Sequence, residues 1–298
     1  MNTRIIGIFL LALLVFIIPE GHAQVSIAEK AVQKSVEVFI NSEGDVHVKH
    51  TIRPSDTPRQ VDLITGTVSN LSETYEDGGK RQLTTIGDNN GVLILPSKER
   101  TIVEYDLDDV LTQIDNVWTW NFRYLEETSF IFPDEVELIF SNDRPIYLGD
   151  KKGINCHGCQ MILEYSINEP KIVEKVTWEN KEFFVEVQSY SEIDKFIFDQ
   201  PTKSISFDVS EENRFVTTVI PLELLWGPYA VFLNDEKIFF SSYINNGTHV
   251  WLNMRPDSTG EISIVGTTVV PEFPIIAPLA IGFLMILILP FIRKINLH

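Results

Sequence analysis

Residues 36–52 read VEVFINSEGDVHVKHTI, and this stretch decides the fold class. Apolar and polar side chains alternate in residues 36–40 and again in residues 46–52. A period of two residues is typical of a β-strand with one buried face. The intervening NSEGD contains Gly44 and several short polar side chains, which favour a turn. The stretch therefore predicts a β-hairpin.

The same pattern recurs along most of the chain. Runs rich in β-branched and aromatic residues, such as residues 117–124 and 161–167, are separated by turn residues, and no long helical stretch interrupts them. Two short exceptions are predicted: a helix over residues 25–34 and a single helical turn in PLELLWGPY, residues 221–229. We predict an all-β fold with two β-sandwich-like domains.

The domain organisation follows from a break at Asn168-Glu169-Pro170. We predict a signal peptide in residues 1–24 and an N-terminal β-sandwich domain in residues 25–168. A C-terminal β-sandwich module follows in residues 169–270, and residues 271–298 hold a PEFP motif, a transmembrane helix and a short basic tail. A chain of 298 residues is long enough for two domains, each with a core.

The first apolar segment has the layout of a secretory signal peptide. Arg4 precedes an unbroken apolar run over residues 5–18, and Pro19 ends that run. Gly21 and Ala23 supply small residues before a cleavage site. An uncleaved anchor is the alternative, although the run is short for a membrane span.

The second apolar segment, residues 275–292, predicts a membrane span. As a helix it would rise about 27 Å, close to the hydrocarbon thickness of about 30 Å. Arg293 and Lys294 follow at once, and positively charged flanks stay in the cytoplasm. A buried core helix is the alternative, but the segment has no polar face. We expect a single-pass cell-membrane protein with an extracytoplasmic body, a cytoplasmic C-terminus and the lipid bilayer as a partner.

The order of features near the C-terminus resembles a known sorting signal. Pro271, Glu272, Phe273 and Pro274 precede the apolar span and its basic tail. This set resembles the PEF-type C-terminal signal of archaeal surface proteins, whose tails are recognised by archaeosortase membrane transpeptidases. The resemblance implies a sortase-like processing enzyme as a partner. A chain cut at the signal would be released or re-anchored.

A second resemblance covers residues 198–268. They are similar to a β module that often precedes such tails in archaeal envelope proteins. The matching elements are Ile220-Pro221, Leu224-Leu225, Gly227-Pro228-Tyr229, the Asn234-Asp235 turn, and Gly260 through Gly266-Thr267. Trp226 and the aromatic IFFSSY depart from the module. The resemblance implies architecture and location and supplies no active site.

The charge of the chain argues against one class of partner. It carries 42 acidic and 24 basic residues, for a formal net charge of −18. Such a surface repels phosphate backbones, so we expect no nucleic acid partner. It also favours solubility outside a cell.

Cys156-His157-Gly158-Cys159 holds the only two cysteines of the chain and allows three interpretations. Export exposes thiols to oxidation, which favours a structural disulfide. A redox pair is the second interpretation. Redox catalysis by Cys-x-x-Cys uses a helix N-terminus, whereas the pattern here predicts a loop followed by a strand. A copper or zinc site formed by Cys156, His157 and Cys159 is the third, and it needs a further ligand. We predict the disulfide, with no cofactor.

Two sequons predict glycan acceptors in an exported chain. They are Asn70-Leu71-Ser72 and Asn246-Gly247-Thr248.

A pair of histidines and an acidic stretch suggest metal binding, but surface positions explain both patterns. His47 and His50 are three residues apart on a predicted strand, so they face opposite sides, and we expect both at the surface. DLDDVLTQID, residues 106–115, suggests calcium, but Val117 stands where an EF-hand loop needs its bidentate Glu. We expect a solvated acidic loop there.

One aromatic stripe has two interpretations. Trp118, Trp120 and Phe122 share a face of the predicted strand. Exposed, such a stripe could stack on sugar rings or a partner, but core packing is the more common use and is our prediction.

Together these features predict an exported, membrane-anchored envelope protein that is not an enzyme and acts by structure or adhesion. Surface-layer or other envelope proteins are candidate partners. The alternative from another class is an extracytoplasmic metal-binding (copper or zinc) or thiol-redox protein that uses Cys156 and Cys159. A hydrolase is a further alternative. Its site would have to be dispersed along the chain, because the sequence contains no Gly-x-Ser-x-Gly, His-Glu-x-x-His or P-loop motif.

Overall fold

The computed structural model describes residues 28–178, 180–243 and 247–267, and every helix or strand in these ranges is a β-strand. The all-β prediction is confirmed for this part of the chain. The predicted signal peptide, PEFP motif and transmembrane span lie outside the described residues, as does Asn246. Within those residues, no helix is long and apolar enough to cross a membrane.

The strands are short and follow one another closely. The first fifteen are β1 Glu29–Lys30, β2 Gln33–Ile40, β3 Val46–Ile52, β4 Arg59–Asp62, β5 Thr67–Tyr75, β6 Thr85–Ile86, β7 Gly91–Ile94, β8 Thr101–Asp108, β9 Thr112–Ile114, β10 Val117–Tyr124, β11 Thr128–Ile131, β12 Leu138–Ser141, β13 Arg144–Tyr147, β14 Gly153–Cys156 and β15 Cys159–Ser166. The remaining ten are β16 Lys171–Trp178, β17 Lys181–Gln188, β18 Ile193–Asp199, β19 Ser204–Val209, β20 Val216–Pro221, β21 Trp226–Leu233, β22 Glu236–Lys237, β23 Phe240–Tyr243, β24 His249–Met254 and β25 Gly260–Thr267.

Contacts divide the described chain into two compact units. The first unit contains residues 28–110, 123–131 and 153–160. The second contains residues 111–122, 132–152 and the described residues from 161 onward. The chain thus enters the second unit twice before it remains there. A boundary between separately folding domains at Asn168–Pro170 stays a prediction.

The first unit contains the hairpin that the opening stretch predicts. Strands β2 and β3 pair antiparallel with Val38 opposite Val48, and both side chains are fully buried. The side-chain oxygen of Asn41 accepts hydrogen bonds from the backbone N–H groups of Glu43 and Asp45, at 3.1 and 2.8 Å. These bonds stabilise the loop, because they satisfy backbone donors that no strand partner reaches.

The predicted helix over residues 25–34 is wrong for its described part. Residues 29–30 form β1, which pairs parallel with β4, and β2 begins at Gln33. Ala31 is buried, and its N–H donates to the carbonyl of Gln60 at 2.8 Å. Pairing with β4 therefore supplies the backbone hydrogen bonds that a helix would otherwise make.

The first fifteen strands form three sheets. The first sheet has the order β1-β4-β7-β6, and the second has the order β14-β11-β2-β3-β8-β5. The third sheet has the order β13-β12-β15-β10-β9.

The last two sheets pack as a sandwich, here called the C-terminal sandwich. Their strand orders are β16-β17-β20-β24-β23 and β18-β19-β25-β21-β22. Both contribute alternate residues to one apolar core, including Val185 and Leu252 from the first sheet and Phe207 and Ile264 from the second. All four are fully buried. Period-two patterning explains this arrangement, since each strand gives one face to the core.

A single turn joins the two sheets between β20 and β21. The N–H groups of Leu224 and Leu225 both donate to the carbonyl of Pro221, at 2.9 and 3.1 Å. Leu224 and Leu225 are fully buried. The turn ends before Trp226, where β21 begins. It is one turn long, as predicted, but residues 226–229, which the prediction included, belong to the strand.

His50 contradicts the expectation of surface histidines. It is fully buried, whereas His47 on the opposite face of β3 is exposed. The Nδ1 atom of His50 lies 2.6 Å from the side-chain oxygen of Gln33, and Nε2 lies 2.9 Å from the hydroxyl of Tyr105. Tyr105 in turn accepts the N–H of Ile64 at 2.9 Å. The sequence contained the signal, since His50 is in phase with the apolar Val46 and Val48.

These bonds fit a neutral imidazole. With a proton on Nδ1, His50 donates to Gln33 and accepts from the Tyr105 hydroxyl. A second proton on Nε2 would face that O–H group in a fully buried site. Burial accordingly lowers the pKa of His50 to about 3.

We predict that His50 makes folding stability depend on pH. Its folded-state pKa lies below the ordinary value of 6.5, so the unfolded chain takes up the proton first as the pH falls. The stabilising contribution is complete above about pH 6.5 and is lost progressively toward pH 3. The loss should be on the order of 1 kcal/mol for each pH unit. Urea unfolding between pH 7 and pH 4 measures it.

The matched control is the exposed histidine on the same strand. His50→Gln should flatten the dependence of the unfolding free energy on pH, whereas His47→Gln should keep the wild-type slope. Equal slopes in both variants would contradict the role of burial.

Candidate functional site

Cys156 and Cys159 form a disulfide at the corner between β14 and β15. Their Cα atoms are 5.8 Å apart, and the two strands belong to different sheets. Gly158 between them has a φ of +57°, which few residues other than glycine adopt easily. Cys156 is buried. The bond therefore fixes the turn through which the chain passes from one sheet to the next.

The exposed side chain of His157 lies beside an acidic neighbour. Its side chain is 79% exposed, and its Nδ1 atom lies 3.5 Å from a carboxylate oxygen of Glu127. Within residues 28–178, 180–243 and 247–267, no three His, Cys, Asp or Glu side chains are grouped to hold a metal ion. Metal binding by Cys156, His157 and Cys159 stays an alternative that requires the reduced thiols.

Asn70 lies at an irregularity of β5, where the pairing with β8 shifts between Ser69 and Ser72. Its φ is +50°, and its side-chain nitrogen donates to Asp106 at 2.7 Å. This bond, followed by that from His47, lowers the pKa of the Asp106 carboxyl. The nitrogen is the atom that a glycan would modify, and Asn70 is exposed. Glycan attachment there stays a prediction.

The acidic stretch of residues 106–115 is not one loop, contrary to expectation. Asp106 belongs to β8, and residues 112–114 form β9. Asp115 lies in the turn before β10, and its carboxylate pairs with Arg214 at 2.6 Å. Strand formation therefore divides the predicted loop between β8, β9 and the turn that precedes β10.

The aromatic stripe of β10 is mostly core. Trp120 and Phe122 are buried and lie edge to face with ring centroids 5.2 Å apart. Trp118 is partly exposed. Core packing is confirmed for the two buried rings.

A groove that sequence reasoning missed lies at one end of the C-terminal sandwich. We call it the end groove. Its volume is about 440 Å³, and it is lined by Glu182, Phe183, Phe184, Pro221, Leu222, Glu223, Trp226, Gly247, Thr248 and His249. Phe184 is 56% exposed and Trp226 is 47% exposed. Two large aromatic rings therefore face solvent in one concave site.

The fold fixes the positions of these rings. Phe183 and Val185 are buried, so alternation along β17 directs Phe184 outward. Trp226 pairs with Thr267 across β21 and β25, and the Thr267 hydroxyl donates to the Trp226 carbonyl at 3.0 Å. A Cβ atom at Gly266 would lie 2.8 Å from that carbonyl oxygen. Only glycine at this position allows so close an approach.

Two carboxylates line the end groove, and each has a lysine partner outside the lining. Glu182 pairs with Lys175 at 2.5 Å, and Glu223 lies 3.6 Å from Lys181. The Thr248 hydroxyl and the His249 imidazole are in hydrogen-bond contact at 2.9 Å. The groove thus offers aromatic faces beside two carboxylate acceptors and the Thr248 hydroxyl, and lysines outside the lining offset the charge of the carboxylates.

A second cavity, of about 590 Å³, lies beside Arg255. The Arg255 guanidinium binds Asp143 at 2.8 Å and Glu164 at 3.2 Å, and it lies 4.7 Å from the centre of the Phe215 ring. Phe215 stacks on Phe140. The guanidinium is already occupied by carboxylates, so the arrangement serves packing within the second unit.

Glu169 is a half-buried carboxyl in the predicted break. Burial raises its pKa to about 7, and Lys171 lowers it in part. Tyr165, Tyr190 and Arg214 line the same small cavity. A carboxyl that titrates near neutrality can act as an acid or base, and Ser166 lines the same cavity, but the pKa by itself places neither group in a reaction. We assign it no catalytic role.

Comparison with known proteins adds no assignment. No protein-family model matches the chain, and no curated protein matches it.

We predict that the disulfide is mainly structural. The loop it closes is very short, so replacing both cysteines by serine should cost about 1–2 kcal/mol of unfolding free energy. Thermal unfolding of the double variant against the wild type measures the loss. Alkylation of the denatured, unreduced protein followed by mass spectrometry should find no free thiol. Stoichiometric zinc or copper on free thiols, lost with Cys156→Ser, would favour the metal-binding alternative instead.

Proposed function

We propose that the protein is a non-catalytic, membrane-anchored protein of the cell envelope, with an extracytoplasmic body that acts by structure or adhesion. The observation that carries the proposal is the apolar run of residues 275–292 with Arg293 and Lys294 directly after it. The run has the length of a membrane helix, and its basic flank favours a cytoplasmic C-terminus. The resemblance of Pro271–Pro274 to an archaeal sorting signal supports the same location.

The architecture of the body agrees with this role. Strands of two β-sandwich-like domains place polar side chains outward around apolar cores, and the acidic surface favours solubility outside a cell. The exposed aromatic rings of Phe184 and Trp226 give the body a contact surface. Surface-layer or other envelope proteins are its proposed neighbours, and a sortase-like enzyme is its proposed processing partner.

The Cys156–Cys159 pair favours this proposal over a thiol-redox role. The disulfide joins β14 and β15 at a corner of the fold, and Cys156 is buried. An exchange reaction requires an accessible sulfur atom. Cys159 is only partly exposed, so a structural bond fits this pair better.

The topology predicts a protease result. Protease added to intact cells that express the full chain should remove nearly all of its mass, because the body lies outside the membrane. Immunoblotting with antibodies against the body measures the loss. Protection of residues 36–269 in intact cells, with digestion only after lysis, would contradict the proposal.

A charge in the apolar run tests the anchor. Met285→Arg places a cation near its centre, where insertion costs about 2.5–3.5 kcal/mol. The variant should move from the membrane fraction to the medium, whereas the control Met285→Leu should remain in the membrane. Equal retention of both variants would contradict anchoring by this segment.

A further inference from the structure

We propose that the end groove binds a neutral pyranose saccharide carried by another molecule at the cell surface. The proposal rests on the proposed function, because it names the ligand class of an adhesive body. Its test is nevertheless separate, since saccharide binding does not depend on which side of the membrane the body occupies.

The aromatic rings supply the first argument. Phe184 and Trp226 line one groove and are about half exposed, although they come from different sheets of the C-terminal sandwich. Exposing two large rings forgoes the free energy of burying them. The axial C–H groups of a pyranose form an apolar face that packs on such rings, and its hydroxyl groups remain free at the edges.

The polar groups supply the second argument. The carboxylates of Glu182 and Glu223 line the groove and can accept hydrogen bonds from sugar hydroxyls, and the Thr248 hydroxyl can donate or accept. Each carboxylate is paired with a lysine outside the lining, at 2.5 Å for Glu182 and Lys175 and at 3.6 Å for Glu223 and Lys181. A charged ligand would therefore compete with an existing ion pair, whereas a neutral ligand with several hydroxyls could bond to the carboxylates and to the hydroxyl.

The size of the groove supplies the third argument. A volume of about 440 Å³ lies within the range of about 300–1,000 Å³ that is common for small-ligand sites. That space suits one or two sugar rings. Pro221 and the buried Leu222 belong to its lining. The N–H of Leu222 donates to the carbonyl of Thr248 at 2.9 Å, which ties the turn to the residue before β24. This part of the lining is thus held in place before a ligand arrives, which lowers the entropy cost of binding.

The chain's own glycan is the competing occupant. Gly247 and Thr248 belong to the second sequon and line the groove. A sugar on Asn246 would have the same chemistry as the proposed ligand. The variant Asn246→Gln removes the acceptor and separates the two sources.

The experiment uses the full chain in a detergent without a sugar headgroup. Neutral tetrasaccharides of glucose, mannose, galactose and N-acetylglucosamine are the probes, with tetramers of glucuronic acid and glucosamine as charged probes. Titration calorimetry measures affinity, and saturation-transfer NMR identifies the sugar protons that touch the protein. We expect at least one neutral probe to saturate with a millimolar or lower dissociation constant, and saturation to be strongest on its ring C–H protons.

Variants locate the binding. Trp226→Ala and Phe184→Ala should each weaken the affinity about tenfold, and Trp226→Phe should retain most of it, because an aromatic face remains. Phe239→Ala is the matched control, since Phe239 is 79% exposed and lines the other cavity. It should bind like the wild type. Phe184→Ala keeps the test valid if Trp226→Ala fails to fold, because the Phe184 side chain lies outside the core.

Four results would overturn the proposal. They are no binding of any neutral probe at millimolar concentration, equal binding by Phe184→Ala and the wild type, tighter binding of a charged probe than of every neutral one, and binding that appears only in Asn246→Gln. The last would identify the chain's own glycan as the occupant. None of them changes the expected protease result, so the two proposals fail separately.

Discussion

The alternation of side chains across the β-strands is the constraint on which the C-terminal sandwich depends. Val185, Phe207 and Ile264 are fully buried in one core formed by both sheets. A shift of one residue in any strand would move its whole apolar row into water, so the register is strongly fixed. The same rule decides what the surface presents. Because Val185 points inward, Phe184 must point outward, and the end groove exists as a consequence of how the core is packed.

Buried polar groups make the first unit specific as well as stable. The neutral imidazole of His50 is held within a chain of hydrogen bonds that also orients Gln33 and Tyr105. Nearby in sequence, the buried Arg81 donates to the carboxylate of Glu73 at 2.7 Å and to the carbonyl of Leu95 at 2.8 Å. Burial raises the pKa of Glu73, and the bond to Arg81 lowers it. Such bonds favour this arrangement of strands, since another pairing would break them, although Glu73 Oε2 and Arg81 Nη1 make no hydrogen bond here.

Turns and corners carry the features that can be linked to function. The disulfide of Cys156 and Cys159 closes a corner between sheets, and the turn after Pro221 contributes Leu222 and Glu223 to the lining of the end groove. Trp226 begins the strand that follows this turn. Loops and strand ends can vary while the sheets remain, so a binding surface at one end of a sandwich is compatible with a rigid core. The proposed function uses this division, with the sheets as a scaffold and one end as a contact surface.

The sequence by itself determined the fold class, the hairpin around Gly44 and the close spacing of the two cysteines, because period-two patterning and turn residues are local signals. It also predicted that Trp120 and Phe122 pack in the core. Only the tertiary structure decided that β1 replaces a helix, since the partner strand β4 is distant in sequence. It also decided that His50 is buried and that Phe184 and Trp226 share one groove. Those outcomes depend on which strands become neighbours, and strand pairing between distant segments leaves no local trace in the sequence.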